Sequence, residues 1–253
     1  GEFNETCEQL VGNAEIPLAL RYFGGAGKSH MDKYGTTMKD FAKIRAKASR
    51  HAAKNPLALF KKEVSEEEVL ESPIMWPGVM TRLMACPPTC GGAAAILVSE
   101  NFANKNGIDS SIRILAQSMT TDYESTFADR DMMQLVGYDM SKEAAKNVYH
   151  QAGVDVQDID VVELHDCFAH NELITYEALG LCKEGEAQKF VHDGDNTFGG
   201  KFVTNPSGGL LSKGHPLGAT GLAQCFELTQ QLRGNAGEKQ VDCAKTALQH
   251  NLG

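Results

Sequence analysis

The chain predicts an α/β protein: a mainly parallel sheet with helices on both faces, preceded by a basic, mostly helical segment. Two observations carry this. From Gly91 onward, short apolar runs alternate with capped helical stretches, the pattern of strands joined by helical crossovers. The run Ile159–Leu164 is β-branched and apolar without alternation, as in a strand buried on both faces.

The elements follow in order. Residues 1–84 read as irregular and mostly helical. Thr36 or Thr37 caps a helix to about Lys54, ended by Asn55-Pro56. Ser65 and Glu68 form a capping box. Gly92–Val98 reads as a strand, and Ser99 caps a helix to Asn106-Gly107. Ile112–Met119 reads as a second strand. Ser141 caps a helix closed by Gly153. After the strand Ile159–Leu164, a helix runs from Ala169 to Leu179 and ends at Gly180. The Gly/Asn-rich stretch 194–209 reads as a loop with room for a hairpin. A helix spans Leu217–Leu232, and Cys243–Leu248 is the last strand.

Composition narrows the function. The chain has 253 residues, 42% of them hydrophobic, enough for a sizeable core. No apolar run approaches the ~20 residues of a membrane span. Net charge is −9, yet residues 28–62 carry ten Lys or Arg against two Asp. The basic segment suggests an anionic partner, and the acidic remainder argues against nucleic acid. Seven cysteines, an odd count, read as reduced thiols in an intracellular compartment. Cys86 and Cys90 lack the further ligands of a zinc pattern, so no metal is expected. The chain opens on Gly1-Glu2-Phe3 without Met and stops directly after an apolar run. Both ends predict a fragment of a longer protein.

Three polar clusters follow predicted strands or Gly-rich turns: His165-Asp166-Cys167, His215 in Gly214-His215-Pro216, and His250-Asn251. The C-terminal ends of parallel strands are where open sheets bind ligands. A thiol beside imidazoles supplies nucleophile and acid/base chemistry. The helix after Cys167 should lower its pKa, and Asp166 should point to the opposite side. Chemistry would place Cys167 and His215 on one pocket, within about 7 Å, with His165 and Asn251 on its rim. His30, His51, His150, His170 and His192 sit in polar surroundings and read as surface residues. Lys39, Lys43, Lys47, Arg50 and Lys54 form one helical stripe, either a solvated face or an anion-binding one.

The strings at 159–168 (IDVVELHDCF), 171–182, 194–225 (through NPSGGLLSKGHPLGATG) and 247–253 closely resemble SCP2-type 3-ketoacyl-CoA thiolases. The likeness also runs through Phe23–Gly27, Met31–Gly35 and Asp139–Ala145. It implies a thiolase-like fold. Residues 1–84 would be its loop domain and 85–108 the last strand and helix of the N-terminal half. Residues 109–253 would be the C-terminal βαβαβαββ half without its final strand.

The resemblance also implies roles. His215 would activate a nucleophilic Cys and line an oxyanion hole. His165 stands where many thiolases carry an Asn that holds a water. Cys167 stands for the second catalytic Cys, and Asn251 lies where ordinary thiolases have Cys-x-Gly. Lys39, Lys43, Lys47, Arg50, Ser207 and Gly208 would contact coenzyme A, a substrate; no covalently bound cofactor is implied. The implied reaction is thiolytic cleavage of a 3-ketoacyl-CoA by CoA in fatty-acid or sterol side-chain β-oxidation. The partners implied are acyl-CoA, a lipid substrate and a second copy in a peroxisomal homodimer. None of the seven cysteines has the Cys-x-Ser context of the nucleophile. The alternatives are a 3-ketoacyl synthase-type condensing enzyme and a non-catalytic acyl-CoA or lipid binder.

Overall fold

The computed structural model describes residues 1–12 and 15–252. The chain opens with α1 (Glu2–Val11), α2 (Leu18–Tyr34), α3 (Met38–Ala53) and α4 (Glu66–Glu71). Thr37, one of the two threonines the sequence offers, caps α3, with Asp40 accepting its N–H, and Ser65 and Glu68 close the predicted capping box on α4. A short antiparallel pair follows, β1 (Ile74–Trp76) and β2 (Met80–Thr81). Next come α5 (Glu100–Asn106), α6 (Ser125–Ala128), α7 (Met132–Leu135) and α8 (Tyr138–Ala152). The last part alternates: β3 (Val161–Glu163), α9 (Ala169–Ala178), α10 (Ala187–His192), β4 (Val203–Thr204), α11 (Gly209–Ser212), α12 (Thr220–Leu232) and β5 (Ala247–Gln249).

The sheet is parallel, with strand order β4-β3-β5. Successive β3 side chains serve opposite faces. Val161 packs with Val203, Leu228 of α12 and Val241, whereas Val162 packs with Leu248, Leu173 of α9 and Phe41 of α3. Helices therefore cover both faces. Phe41, Ile44, Val69 and Met80 share that larger core with the residues after 145. The basic N-terminal segment thus builds one core with the sheet.

Several sequence expectations need correction. Gly92–Val98 and Ile112–Met119 form no strand; Ile96 is 92% and Met119 93% exposed. Strand composition expresses itself only against a neighbouring strand, and neither run pairs with one among the described residues. The sheet is accordingly shorter than the implied βαβαβαββ half. The stretch 194–209 yields no hairpin: Val203–Thr204 add to β3 in parallel, because Asn205 donates its N–H to Val162 O and accepts Leu164 N–H at Oδ1. Ser141 is no cap. The helix starts at Tyr138, and Ser141's hydroxyl bonds His250 Nε2 instead. The last long helix starts at Thr220, three residues after Leu217.

Of the five histidines expected at the surface, His150 and His192 are exposed. His30, His51 and His170 are buried. His51 bonds Asn205 O and Thr197 Oγ1, His170 donates from Nε2 to Val79 O, and His30 bonds Thr36 Oγ1 and Glu177 Oε1. Gly27 is required here, since a Cβ would lie 2.3 Å from the His170 ring.

Candidate functional site

The site begins with register. Glu163 of β3 pairs with Gln249 of β5, and His250 donates its N–H to Glu163 O. Extending both strands by two residues sets His165 beside Asn251. The His165 Nδ1 lies 3.0 Å from Asn251 Oδ1 and 3.3 Å from the Leu252 amide nitrogen. Asn171, in the first turn of α9, holds the His165 carbonyl at 2.5 Å. The His215 ring stands edge-on to His165, centroids 5.0 Å apart. Sequence positions 165, 215 and 251 therefore meet at one sheet edge.

The proton inventory of His215 follows from Thr220. The Thr220 hydroxyl donates its one proton to Pro216 O and so accepts from His215 Nδ1, 2.7 Å away. His215 Nε2 is left with a free lone pair. Burial pushes the His215 pKa down. Burial takes His165 to about 4, against the opposing hydrogen bond to Asn251 Oδ1, and His250 to about 3. All three rings are neutral near pH 7. His215 is thus a base, not an acid, in its resting state.

Cys167 departs from expectation. It is 4% exposed and lies in the main apolar core. Burial drives its thiol pKa well up, and Cys86 and Asp166 add to the rise. Desolvation outweighs the start of α9. The cover is a strap, residues 85–91, that the sequence did not reveal. Ala85 pairs with Phe168, Cys86 donates its N–H to Cys167 O, and Pro88 pairs with His215. The strap thus stands between Cys167 and solvent on the side of His215. A cleft of about 570 Å³ is lined by Glu2, Tyr123 and Phe127, and one of about 540 Å³ by Lys54, Leu57, Lys61 and Phe226. Both lie away from these residues. Iodoacetamide should therefore label exposed Cys90 and Cys243 at least about tenfold faster than Cys167. Equal labelling rates, read by peptide mass mapping, would show that the strap does not seal the thiol.

The expected coenzyme A contacts divide. Lys39 and Arg50 are exposed and Lys43 is half-buried. Lys47 is 1% exposed and ion-paired with Glu172, with further bonds to Thr204 and Tyr176. It cannot face a solvent-borne anion. The stripe fails at Lys47 because α3 is buried on several sides, so charge spacing alone did not mark its outer face. Ser207 and Gly208 are buried as well; the Ser207 hydroxyl and amide both donate to the Glu163 carboxylate.

The buried imidazoles make stability pH-dependent. His51, His165, His170 and His250 all titrate lower in the fold than in the unfolded chain. The unfolded state then binds more protons below its pKa of about 6.5, so stability falls as pH drops through that value. Asp166, raised to about 8, and Glu163, also raised, oppose this with fewer protons. Unfolding free energy should fall by more than about 1.4 kcal/mol from pH 7 to pH 5. Urea titrations at the two pH values check it.

With fold and site described, comparison with known proteins places the chain. Residues 121–253, just over half of it, match the family model "Thiolase C-terminal domain-like". The chain is 57% identical over 239 residues to sterol carrier protein 2 of Oryctolagus cuniculus, covering 94% of this chain and 43% of that protein. It is 39% identical over 225 residues to the benzoylsuccinyl-CoA thiolase subunit BbsB of Thauera aromatica, covering 88% and 57%. Among solved structures, the Ltp2-ChsH2(DUF35) aldolase superposes with a TM-score of 0.71 at 20% identity, over 92% of this chain and 60% of that one. This last likeness concerns the fold alone. The chain belongs to the thiolase family. Within it, the chain groups with the sterol carrier protein 2 type, and it spans less than half the length of the rabbit relative.

Proposed function

We propose that the chain carries half of the chemistry of a 3-ketoacyl-CoA thiolase acting in lipid β-oxidation in the peroxisome. The observation that supports this most is the pairing of His165 and His215 with Asn251 beside them. Thiolysis breaks a Cα–Cβ bond and leaves a thioester enolate, which needs preorganised donors and a nearby proton carrier. His215, with Nε2 free, is suited to take the proton of a nucleophilic thiol and return it. His165, fixed by Asn251 and Asn171, is suited to orient a water toward the developing oxyanion. Cys167 serves as the acid only where the strap opens, since its raised pKa keeps it protonated. Coenzyme A approaches as substrate, with Lys39, Lys43 and Arg50 supplying the outer cationic face, and the assembled protein is a homodimer.

No cysteine of this chain has the nucleophile's Cys-x-Ser context, so the 253 residues alone should not turn over a 3-ketoacyl-CoA. Thiolysis by the isolated chain at rates like those of an intact thiolase would overturn this. In the full-length protein, neutralising Lys39, Lys43 and Arg50 together should weaken CoA binding and flatten its salt dependence. Each exposed charge is worth only ~0.2–1 kcal/mol. Unchanged affinity and salt slope would make the stripe an ordinary solvated face.

A further inference from the structure

Asp166 lies between His165 and Cys167 and is completely buried. Its side chain turns toward the backbone of α11. The carboxylate accepts Leu210 N–H at 2.7 Å and Leu211 N–H at 3.3 Å. These belong to the first turn of α11, which leads within three residues of its last member to His215. Gly209 makes the approach possible: its φ is +59°, and a Cβ there would lie 2.0 Å from Asp166 Oδ2. Arg45 braces the other end of α11 by donating from Nη1 to Ser212 Oγ at 2.8 Å.

We propose that Asp166 and Gly209 form a positioning clamp that sets His215 against His165. The reasoning is geometric. His165 is covalently next to Asp166, so fixing α11 on that carboxylate fixes the turn bearing His215 relative to the ring of His165. The side chain must be short and must offer two acceptors. Glutamate would push its extra methylene into Gly209. Asparagine would turn an N–H toward a backbone N–H and lose one bond. Asp166 is a positioning residue, not a catalytic one, and its effect on turnover rests on the thiolase reading.

Two measurements on the 253-residue chain judge the clamp independently of any activity. In the unmodified chain, the Leu210 and Leu211 amides should exchange with solvent at least about 100-fold more slowly than the Glu66 and Glu67 amides of exposed α4. Comparable rates would overturn the proposal without any variant. In Asp166→Asn and in Gly209→Ala, the nuclear Overhauser contact between the His165 and His215 rings should vanish. The His215 titration should also rise toward the ordinary imidazole value as the ring becomes solvated. Asp166, raised to about 8, is already protonated where His215 titrates, so removing its charge leaves that titration in place, and a rise reports the lost position of the ring. Leu173→Ala, a core truncation outside the clamp, should keep the ring contact. Persistence of the contact in both clamp variants, or its loss in Leu173→Ala, would overturn the clamp. In the full-length protein, Asp166→Asn should lower kcat by about 100-fold with KM for CoA nearly unchanged. If full-length wild type shows no thiolysis, the functional reading fails while the exchange and ring-contact results still decide the clamp.

Discussion

Replacing Lys47 with Met should destabilise the fold by about 3–5 kcal/mol, the cost of stranding a buried partner charge. Lys47 is the cation that Glu172 faces inside the protein, and its ammonium also bonds Thr204 Oγ1 at 2.9 Å. Removing it leaves Glu172, one of whose oxygens already has no hydrogen-bond partner among the described residues. It also leaves Asp166, whose pKa burial raises, Glu172 raises further and Lys47 lowers. Chemical denaturation at pH 7 measures the loss. A double replacement, Lys47→Met with Glu172→Leu, should recover much of it, because an apolar pair of similar volume avoids the desolvation. A loss below about 1 kcal/mol for the single variant, the scale of an exposed ion pair, would mean that water reaches the pair.

His215→Ala in the full-length protein should cut thiolysis by about 10²–10⁴-fold, the usual contribution of a positioned acid/base. The effect should fall on kcat, since the ring meets the reacting atoms rather than the nucleotide. Thr220→Val should produce a milder loss by freeing the His215 tautomer, because Nδ1 then lacks its hydroxyl acceptor. Steady-state kinetics of the two variants distinguish a base from a spacer. Equal, small losses in both would remove His215 from the chemistry.

The meeting of His165, His215 and Asn251 was legible because parallel strands release their functional residues at one edge. The caps of α3 and α4 were legible because they are local: Thr36 or Thr37 ahead of the first helix, of which Thr37 is the cap, and the pair Ser65/Glu68 at the second. What escaped has long-range partners. Lys47 pairs with Glu172, 125 residues away; His51 with the Asn205 carbonyl, 154 away; and His170 with Val79 O, 91 away. A charge or an imidazole in polar sequence looks solvent-exposed until the distant partner is known. The sealing of Cys167 is similar: the helix after it is visible in sequence, but the strap at 85–91 arrives from about 80 residues upstream. The failed strands, Gly92–Val98 and Ile112–Met119, have the right composition without a neighbour to pair with among the described residues. Only the Asp166 contact with Gly209 had a faint signal, a Gly pair directly before Leu210.

The central claim is that the His165–His215 pair belongs to a thiolytic site. It is tested most directly by incubating the full-length protein with a 3-ketoacyl-CoA and free CoA and measuring both acyl-CoA products. The account predicts equimolar release of acetyl- or propionyl-CoA and the shortened acyl-CoA, abolished in His215→Ala with acyl-CoA binding retained. Binding of acyl-CoA without release of either product, in wild type and variant alike, would contradict it and leave a thiolase-fold lipid binder.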